Sequence, residues 1–455
     1  MVLSFWSSEH LKSFNGIAIA NKDLSISYPI LNKMVSDYTE FLCMYNLKHQ
    51  LAFLPMNSDI YSVVKYLACL RLSIVPLLIP INLNRKLLQN LKLIYDPAFS
   101  FKINEYKNIE LHAKSKLDSK YPKELSLLLS TSGSTGSVKL VKLSDMNLKG
   151  NAKSIKDYLH IKTDDKAHCT LPLSYSYGLS VLNSHLQSGA CVFLSDLNPF
   201  SIDYYQELIK EKITSISGVP LFYQMLLRTG FLEKEIPSLK VMTQAGGRLT
   251  NKFIKRFNDY ACNKNINFYI MYGQTEATAR ISYVPPEMLG KKIGSIGIAI
   301  PEGKLALSDD GEIIYTGPNV MMGYAKNRND LLKNGPYLEK LLTGDIGKKD
   351  SDGFYYITGR LNRFLKLAGS RYGLDEIETF LEETFDAFFL ATGKDDNLVI
   401  IFSNFDGPHE KIINNLQEKF SINRSYIKIK EVKDIVRKTN GKKDYSYYWR
   451  EFSED

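Results

Sequence analysis

A chain of 455 residues exceeds one ordinary hydrophobic core, so two or more units are expected. Its 44% hydrophobic and 24% charged content is that of a soluble globular enzyme. The formal net charge of +9 lies mostly before Arg360 and suits a nucleotide, coenzyme A, an acidic carrier protein or nucleic acid, the last being weakest because no compact basic-aromatic patch or DNA-reading helix is present.

The start, MVLSFWSSEHLKSF, lacks the basic end and apolar run of a signal peptide. From there to about Phe101, Ile30–Leu42 and Ile60–Leu72 have helical periodicity, while Leu51–Leu54 and Ile74–Ile79 read as strands. This alternation predicts a layered α/β unit with a parallel sheet. Asn57, Asp59, Lys65 and Arg71 interrupt the apolar stretch Leu51–Leu83, so no membrane span is expected. Apolar runs at Leu125–Leu129 and Leu140–Leu143 flank Thr131-Ser132-Gly133-Ser134-Thr135-Gly136-Ser137, with Lys139 close behind. Glycines that turn N–H groups inward, set among hydroxyls, suit an anion as large as a triphosphate. The loop lacks Gly-Lys-Ser/Thr and no helix follows, so it is not of the Walker type. A plain Gly/Ser turn is the alternative reading.

A helix near Met146–Leu159 and a strand near His168–Leu171 come next. Leu171–Leu179, LPLSYSYGL, crowds hydroxyl-bearing side chains at a helix entrance, either as caps and packing or as the wall of a pocket. Cys191–Leu194, Ile213–Val219, Leu239–Met242 and Phe268–Met271 are short apolar runs. The third leads into Gln244-Ala245-Gly246-Gly247, where adjacent glycines mark close backbone approach. Tyr272-Gly273-Gln274-Thr275-Glu276-Ala277-Thr278 sits at the C-terminal end of the fourth, where ligands bind in open α/β sheets. From Gly294, short strands and Gly-rich turns suggest a β subdomain. Past Arg360, helices over Leu374–Thr384 and Glu410–Phe420, strands near Ala387–Ala391, Leu398–Ser403 and Tyr426–Glu431, and a polar loop over Arg437–Asp444 read as a separate small domain. Cys43, Cys69, Cys169, Cys191 and Cys262 are scattered and odd in number, which argues for a reducing compartment and against a disulfide framework or zinc knuckle. A cytoplasmic protein is expected.

The ordered set TSGSTGSVK, LPLSYSYGL, YGQTEAT, GEIIYTGP, TGD, ITGRLNRFLK and KTNGK, from Thr131 to Lys442, resembles the adenylate-forming superfamily. Its members include acyl- and aryl-CoA synthetases, nonribosomal peptide synthetase adenylation domains and beetle luciferases. The resemblance implies an α/β fold: a large AMP-binding domain of layered parallel sheets with a β subdomain over residues 1–361, and a small mobile α+β lid over 362–455. It also implies an ATP-dependent acid–thiol ligase that uses Mg²⁺, a small carboxylic acid, and coenzyme A or a separate acyl carrier protein.

By the same resemblance, Thr131 to Gly136 with Lys139 hold the leaving phosphates and Thr275 donates to the α-phosphate. Glu276 holds Mg²⁺; read alone it is equally a helix N-terminal acid. Asp345 accepts the ribose hydroxyls, Gly246, Gly247 and Tyr272 flank the adenine, Gly273 belongs to the same ATP site, and Arg360 reaches ribose or phosphate. Lys442 is the catalytic lysine, although without the family Lys442 and Lys443 are a solvated basic turn. Asn362 occupies the hinge, where Asp or Lys is usual, and Lys366 and Gly369 would line the thiol tunnel. Tyr175, Ser176, Tyr177, Gln244 and Gln274 are the expected acid pocket, their hydroxyls and amides suiting a small or polar acid. Three departures stand out: Val138-Lys139-Leu140 replaces Pro-Lys-Gly, Tyr175 replaces a frequent histidine, and no aspartate in Ser174–Ser180 awaits an α-amine. The acid is therefore expected to lack an amino group. Alternative readings are an enzyme loading a discrete carrier protein in secondary-metabolite or surface-glycan assembly, and a catalytically dead nucleotide-binding protein.

Overall fold

A computed structural model describes residues 3–102, 107–112, 121–130, 139–333, 339–385, 387–394, 396–438 and 441–452. Two large sheets carry most of the chain. In the nine-stranded sheet, the six central strands Asn267–Tyr272, Val241–Gln244, Ser215–Gly218, Lys166–Cys169, Cys191–Leu194 and Ile17–Ala20 run parallel. Strands such as Cys191–Leu194 are buried at every position, as expected where helices cover both faces. In the seven-stranded sheet, Leu51–Met56 and Val75–Pro80 pair in parallel, and Leu125–Ser130 forms an antiparallel hairpin with Leu140–Ser144. The layered α/β architecture read from the sequence is therefore present, with antiparallel strands at the sheet margins.

Local chemistry fixes how the sheets are joined. The helix Asp145–Leu159 starts at a reciprocal cap, Asn147 N–H donating to Ser144 Oγ at 3.1 Å and Ser144 N–H to Asn147 Oδ1 at 2.9 Å. Asn147 Nδ2 also donates to the carbonyls of Pro318 and Val320, both at 2.8 Å, and ties this helix to a distant turn. A four-stranded antiparallel sheet, Lys304–Leu307, Glu312–Thr316, Leu341–Lys349 and Tyr355–Arg360, forms the β subdomain.

After Arg360 come a hairpin, Phe364–Leu367 with Ser370–Gly373, and a three-stranded sheet covered by the helices Leu374–Phe385 and His409–Phe420. This part has its own apolar cluster, from Leu365 to Ile427. A final helix, Tyr445–Phe452, lies beyond the last element expected from sequence; among its residues only Tyr448 is buried. Inside the small unit, Glu378 is buried and shared: Arg363 donates to Oε1 at 2.8 Å, while Lys443 and Tyr445 donate to Oε2 at 2.9 and 3.0 Å. The unit rests on the larger one through Arg248, which donates to Glu383 at 2.7 Å and to Thr379, and through Asn251, 2.8 Å from the same Glu383 oxygen.

Candidate active site

Three parallel strands end along one edge, at Gly218, Gln244 and Tyr272. The turn Gly273–Arg280 then doubles back so tightly that a Cβ on Gly273 would lie 1.7 Å from the Ala279 carbonyl oxygen. Thr278 and Ala279 take φ values of 57° and 124°, the second foreign to alanine and stable only where surroundings impose it. Asn319, fully buried, imposes it. Its Nδ2 donates to the Ala277 and Arg280 carbonyls at 2.7 Å each, and its own carbonyl accepts from Thr278 Oγ1 at 2.7 Å. The Tyr315 hydroxyl holds Asn319 Oδ1 at 2.7 Å. Asn319 was not among the residues expected from sequence; its only signal is its place directly after Gly317-Pro318.

The braced turn presents Thr275 and Glu276. Thr275 Oγ1 lies 3.3 Å from Ser176 Oγ at the entrance of the helix Ser176–Ser188. Glu276 Oε1 accepts from the Tyr324 hydroxyl at 2.7 Å, and Lys139 Nζ sits 3.8 Å from the centre of that same ring. Strand Gly323–Ala325 delivers Tyr324 by pairing with Leu140–Lys142. Thr131, Ser132, Gly133, Ser134, Thr135 and Gly136 lie outside the described residues.

Asp345, 2% exposed, is gripped from three sides. Its Oδ2 accepts from the Tyr272 hydroxyl and from Gln274 Nε2 at 3.1 Å, and its Oδ1 accepts from Arg360 Nε at 2.9 Å. Arg360 reaches it from the neighbouring antiparallel strand. Burial, then the Asp345 charge, push the Tyr272 phenol well above its usual range, so it remains a donor. Gln274 also donates to the Thr343 carbonyl at 2.8 Å, so it orients Asp345. Gln244 folds back onto the Ala245 and Gly247 carbonyls at 3.2 and 2.9 Å, bracing the glycine turn. Within that turn Gly246 has φ 82°, and a Cβ there would meet the Tyr175 hydroxyl at 2.7 Å; one on Gly247 would meet Pro220 at 3.2 Å. The Tyr177 hydroxyl is fixed by the Thr243 carbonyl at 2.9 Å.

Lys442 arrives from the small unit on a turn closed by the Lys438 amide, which donates to the Lys442 carbonyl at 2.8 Å. A Cβ on Gly441 would come within 2.8 Å of Val219, so this turn packs directly on the large unit. The Lys442 ammonium feels the Glu276 and Asp345 carboxylates and the Arg360 guanidinium. Burial, then Arg360, lower its pKa below the usual lysine range despite both carboxylates. Lys366 lies on the exposed part of the hairpin and Gly369 at its tip with open space around it, so this arrangement gathers Lys442 and not those two. Asn362 is an exposed residue between Leu361 and Arg363. Among the described residues no group of three or more His, Cys, Asp or Glu could hold a metal. A lone carboxylate such as Glu276 is nevertheless the donor set Mg²⁺ takes when nucleotide phosphates supply the rest.

Fold and side chains together define an α/β protein that gathers charged and hydroxyl-bearing groups at the end of a parallel sheet. The chain belongs to the AMP-binding enzyme family, whose family model matches residues 26–325. Among curated relatives, the oxalate–CoA ligase of Arabidopsis thaliana is 30% identical over 275 residues, 57% of this chain and 53% of that protein. The indoleacetate–CoA ligase of Aromatoleum aromaticum is 30% identical over 57% of this chain and 52% of its own. The chain thus spans about half the length of the curated relatives it matches. Among solved structures, the o-succinylbenzoate CoA synthetase of Bacillus subtilis, in complex with its acyl-adenylate intermediate, shares the fold with a TM-score of 0.79 at 21% identity, over 97% of both chains. MatB of Rhodopseudomonas palustris with bound ATP gives 0.81 at 18% identity, over 99% of both chains. No helix among the described residues is long and apolar enough to cross a membrane.

Proposed function

We propose that the protein is an ATP-dependent acid–thiol ligase. A carboxylate oxygen of the acid attacks the α-phosphorus of ATP, the bond to the β-phosphate oxygen breaks, and pyrophosphate leaves with the electron pair. A thiol then attacks the acyl carbon of the adenylate, the C–O bond to AMP breaks, and a thioester forms. Coenzyme A is the favoured thiol, in keeping with the names of the curated relatives; a carrier protein is the alternative acceptor.

One observation carries the reading: a lysine some hundred residues distant in sequence sits within the field of Glu276, Asp345 and Arg360. Bringing two anions together requires fixed positive charge where charge develops. Lys442 would supply it, Thr275 would donate to the α-phosphate, and Lys139 would meet the outer phosphates. Asp345, held by Tyr272, Gln274 and Arg360, offers acceptor oxygens in a fixed orientation for the ribose hydroxyls. Mg²⁺, held by Glu276 and phosphate oxygens, would neutralise part of the triphosphate charge. We place the boundary between the two domains at residues 361 and 362, with Asn362 as the hinge. Acid-dependent exchange of labelled pyrophosphate into ATP across a panel of carboxylic acids tests the first half-reaction. Offering coenzyme A and carrier proteins afterwards tests the second. Absence of exchange with every acid, from a protein that binds ATP, would refute ligase activity.

A further inference from the structure

Arg280 ends the braced turn, and its side chain runs inward. It is 2% exposed, and its guanidinium lies 4.0 Å from the centre of the Tyr177 ring. Nε has no hydrogen-bond partner, and no carboxylate pairs with the group among the described residues. A cavity beside it, between the helix Ser176–Ser188 and the sheet, is lined by Val181, His185, Ser215, Thr243 and Asp165. Ser215 Oγ is buried without a partner as well. Asp165 is engaged elsewhere, accepting from the Lys162 amide at 2.8 Å and from Lys240 at 3.4 Å. Burial lowers the His185 pKa against the opposing pull of Asp165, and its Nδ1 bonds the Val181 carbonyl at 2.8 Å.

A guanidinium does not lose its proton in a protein, so burial without a counter-ion leaves a full charge desolvated. The Tyr177 face and the neutral Tyr158 hydroxyl, which also reaches the group, bring no compensating charge. The cation also has a defined place relative to the reacting centre. The Tyr175 hydroxyl touches the Gly246 turn, the Tyr177 ring lies 6.4 Å from that of Tyr175, and Arg280 lies behind Tyr177. Tyr175 and Tyr177 thus link the Gly246 turn to Arg280, which itself lines the cavity.

We propose that Arg280 determines specificity for the acid, and that this acid carries a second anionic group, a carboxylate, at the end remote from the one activated. The inference rests on the ligase reading for which carboxylate reacts, but the anion site stands on Arg280 itself. A site that must satisfy a buried charge rejects an analogue lacking the matching group far more strongly than an apolar pocket rejects a lost methylene.

The test compares succinate, glutarate, adipate and phthalate with butyrate, pentanoate, hexanoate and benzoate, using parent, Arg280→Met and Arg280→Lys. Two readouts are taken: pyrophosphate exchange, and thermal melting with each acid and no ATP. In the parent, at least one diacid should exceed its monoacid by roughly a hundredfold or more in kcat/KM, and should raise the Tm where the monoacid does not. Arg280→Met should abolish both preferences with KM for ATP unchanged. Should Arg280→Met fail to fold, Arg280→Lys keeps the charge but loses the planar fork, and should raise the diacid KM at least about tenfold. Exchange with monoacids and none with diacids would overturn the proposal and leave the ligase reading intact. A diacid-to-monoacid ratio unchanged in both variants would also overturn it. No exchange with any acid, with diacids still stabilising the parent but not Arg280→Met, would uphold the anion site and refute the ligase reading.

Discussion

Lys442 gains its place through a turn whose glycine abuts Val219, and its charge through a balance. Burial and Arg360 disfavour the ammonium while Glu276 and Asp345 favour it, and the first pair prevails. Lys442→Ala should lower pyrophosphate exchange by roughly two orders of magnitude or more, the scale of losing a transition-state donor. ATP binding, measured by calorimetry, should change little, because Asp345, Tyr272 and Gln274 belong to the large unit. On the proposed mechanism the protonated lysine is the active form, and burial depresses its pKa. The kcat/KM profile should therefore turn down on the alkaline side at a lower pH than an ordinary lysine's 10.5 would set. Glu276→Gln keeps the bond from Tyr324 within reach but would lose the proposed charge partner of Mg²⁺. Exchange should slow and require more Mg²⁺, read from a magnesium titration. Equal rates and equal Mg²⁺ dependence would move the metal to other ligands.

At the scale of elements, the turn Gly273–Arg280 is held by one side chain. Asn319→Ala removes two donated bonds and strands buried carbonyls, a loss of about 1–3 kcal/mol. Exchange should fall with the lost position of Thr275 and Glu276, although residue 319 is fully buried behind the turn; a parent-like melting curve and rate would refute the brace. The turn itself was legible, because an apolar strand ending in a hydroxyl- and acid-bearing motif is a local pattern. Its brace was not, because Gly317-Pro318 reads as a loop and nothing nearby says where the next side chain points. The same limit applies to Gln244 and Gln274. Their positions at strand ends were readable, but their amides turn toward carbonyls and toward Asp345 that only the assembled sheets supply. Arg280 was invisible for a related reason: a charged residue after a turn reads as solvated until the fold buries it. Alternation of periods, by contrast, placed two helices and two strands of the first hundred residues within a few positions, but not the strand Ile17–Ala20 or the helix Arg85–Tyr95.

For the molecule as a whole, the proposed pivot is directly testable. Proline at 362 fixes φ near −65° and restricts Leu361 as well. With the present arrangement frozen, Asn362→Pro should keep exchange and lose most thioester formation, both measured on one preparation with its melting curve. Thioester formation at the parent rate would place the pivot elsewhere. The small unit should also show an acid-sensitive fold. Burial pushes the Glu378 carboxyl up, but Lys443 and Arg363 outweigh it and hold it at about 2, below the ordinary 4.5. That stability is complete above about pH 4.5 and is lost as the pH falls toward 2. Glu378→Ala removes the carboxylate that Arg363 and Lys443 share and leaves them only Asp375 and Glu382; it should destabilise the small unit, by less than the roughly 3–5 kcal/mol of a fully unpaired buried charge, and flatten that acid limb in pH-dependent melting.

Glu378 has a mechanical consequence too. One of its oxygens holds the residue after the proposed pivot, and the other holds the residue after Lys442. The crank and its pin thus share one carboxylate, with Asp375 and Glu382 as each one's second anchor. On the proposed pivot, rotation at residue 362 would withdraw Lys442 in the same stroke, and another face of the small unit would come forward only as the lysine leaves.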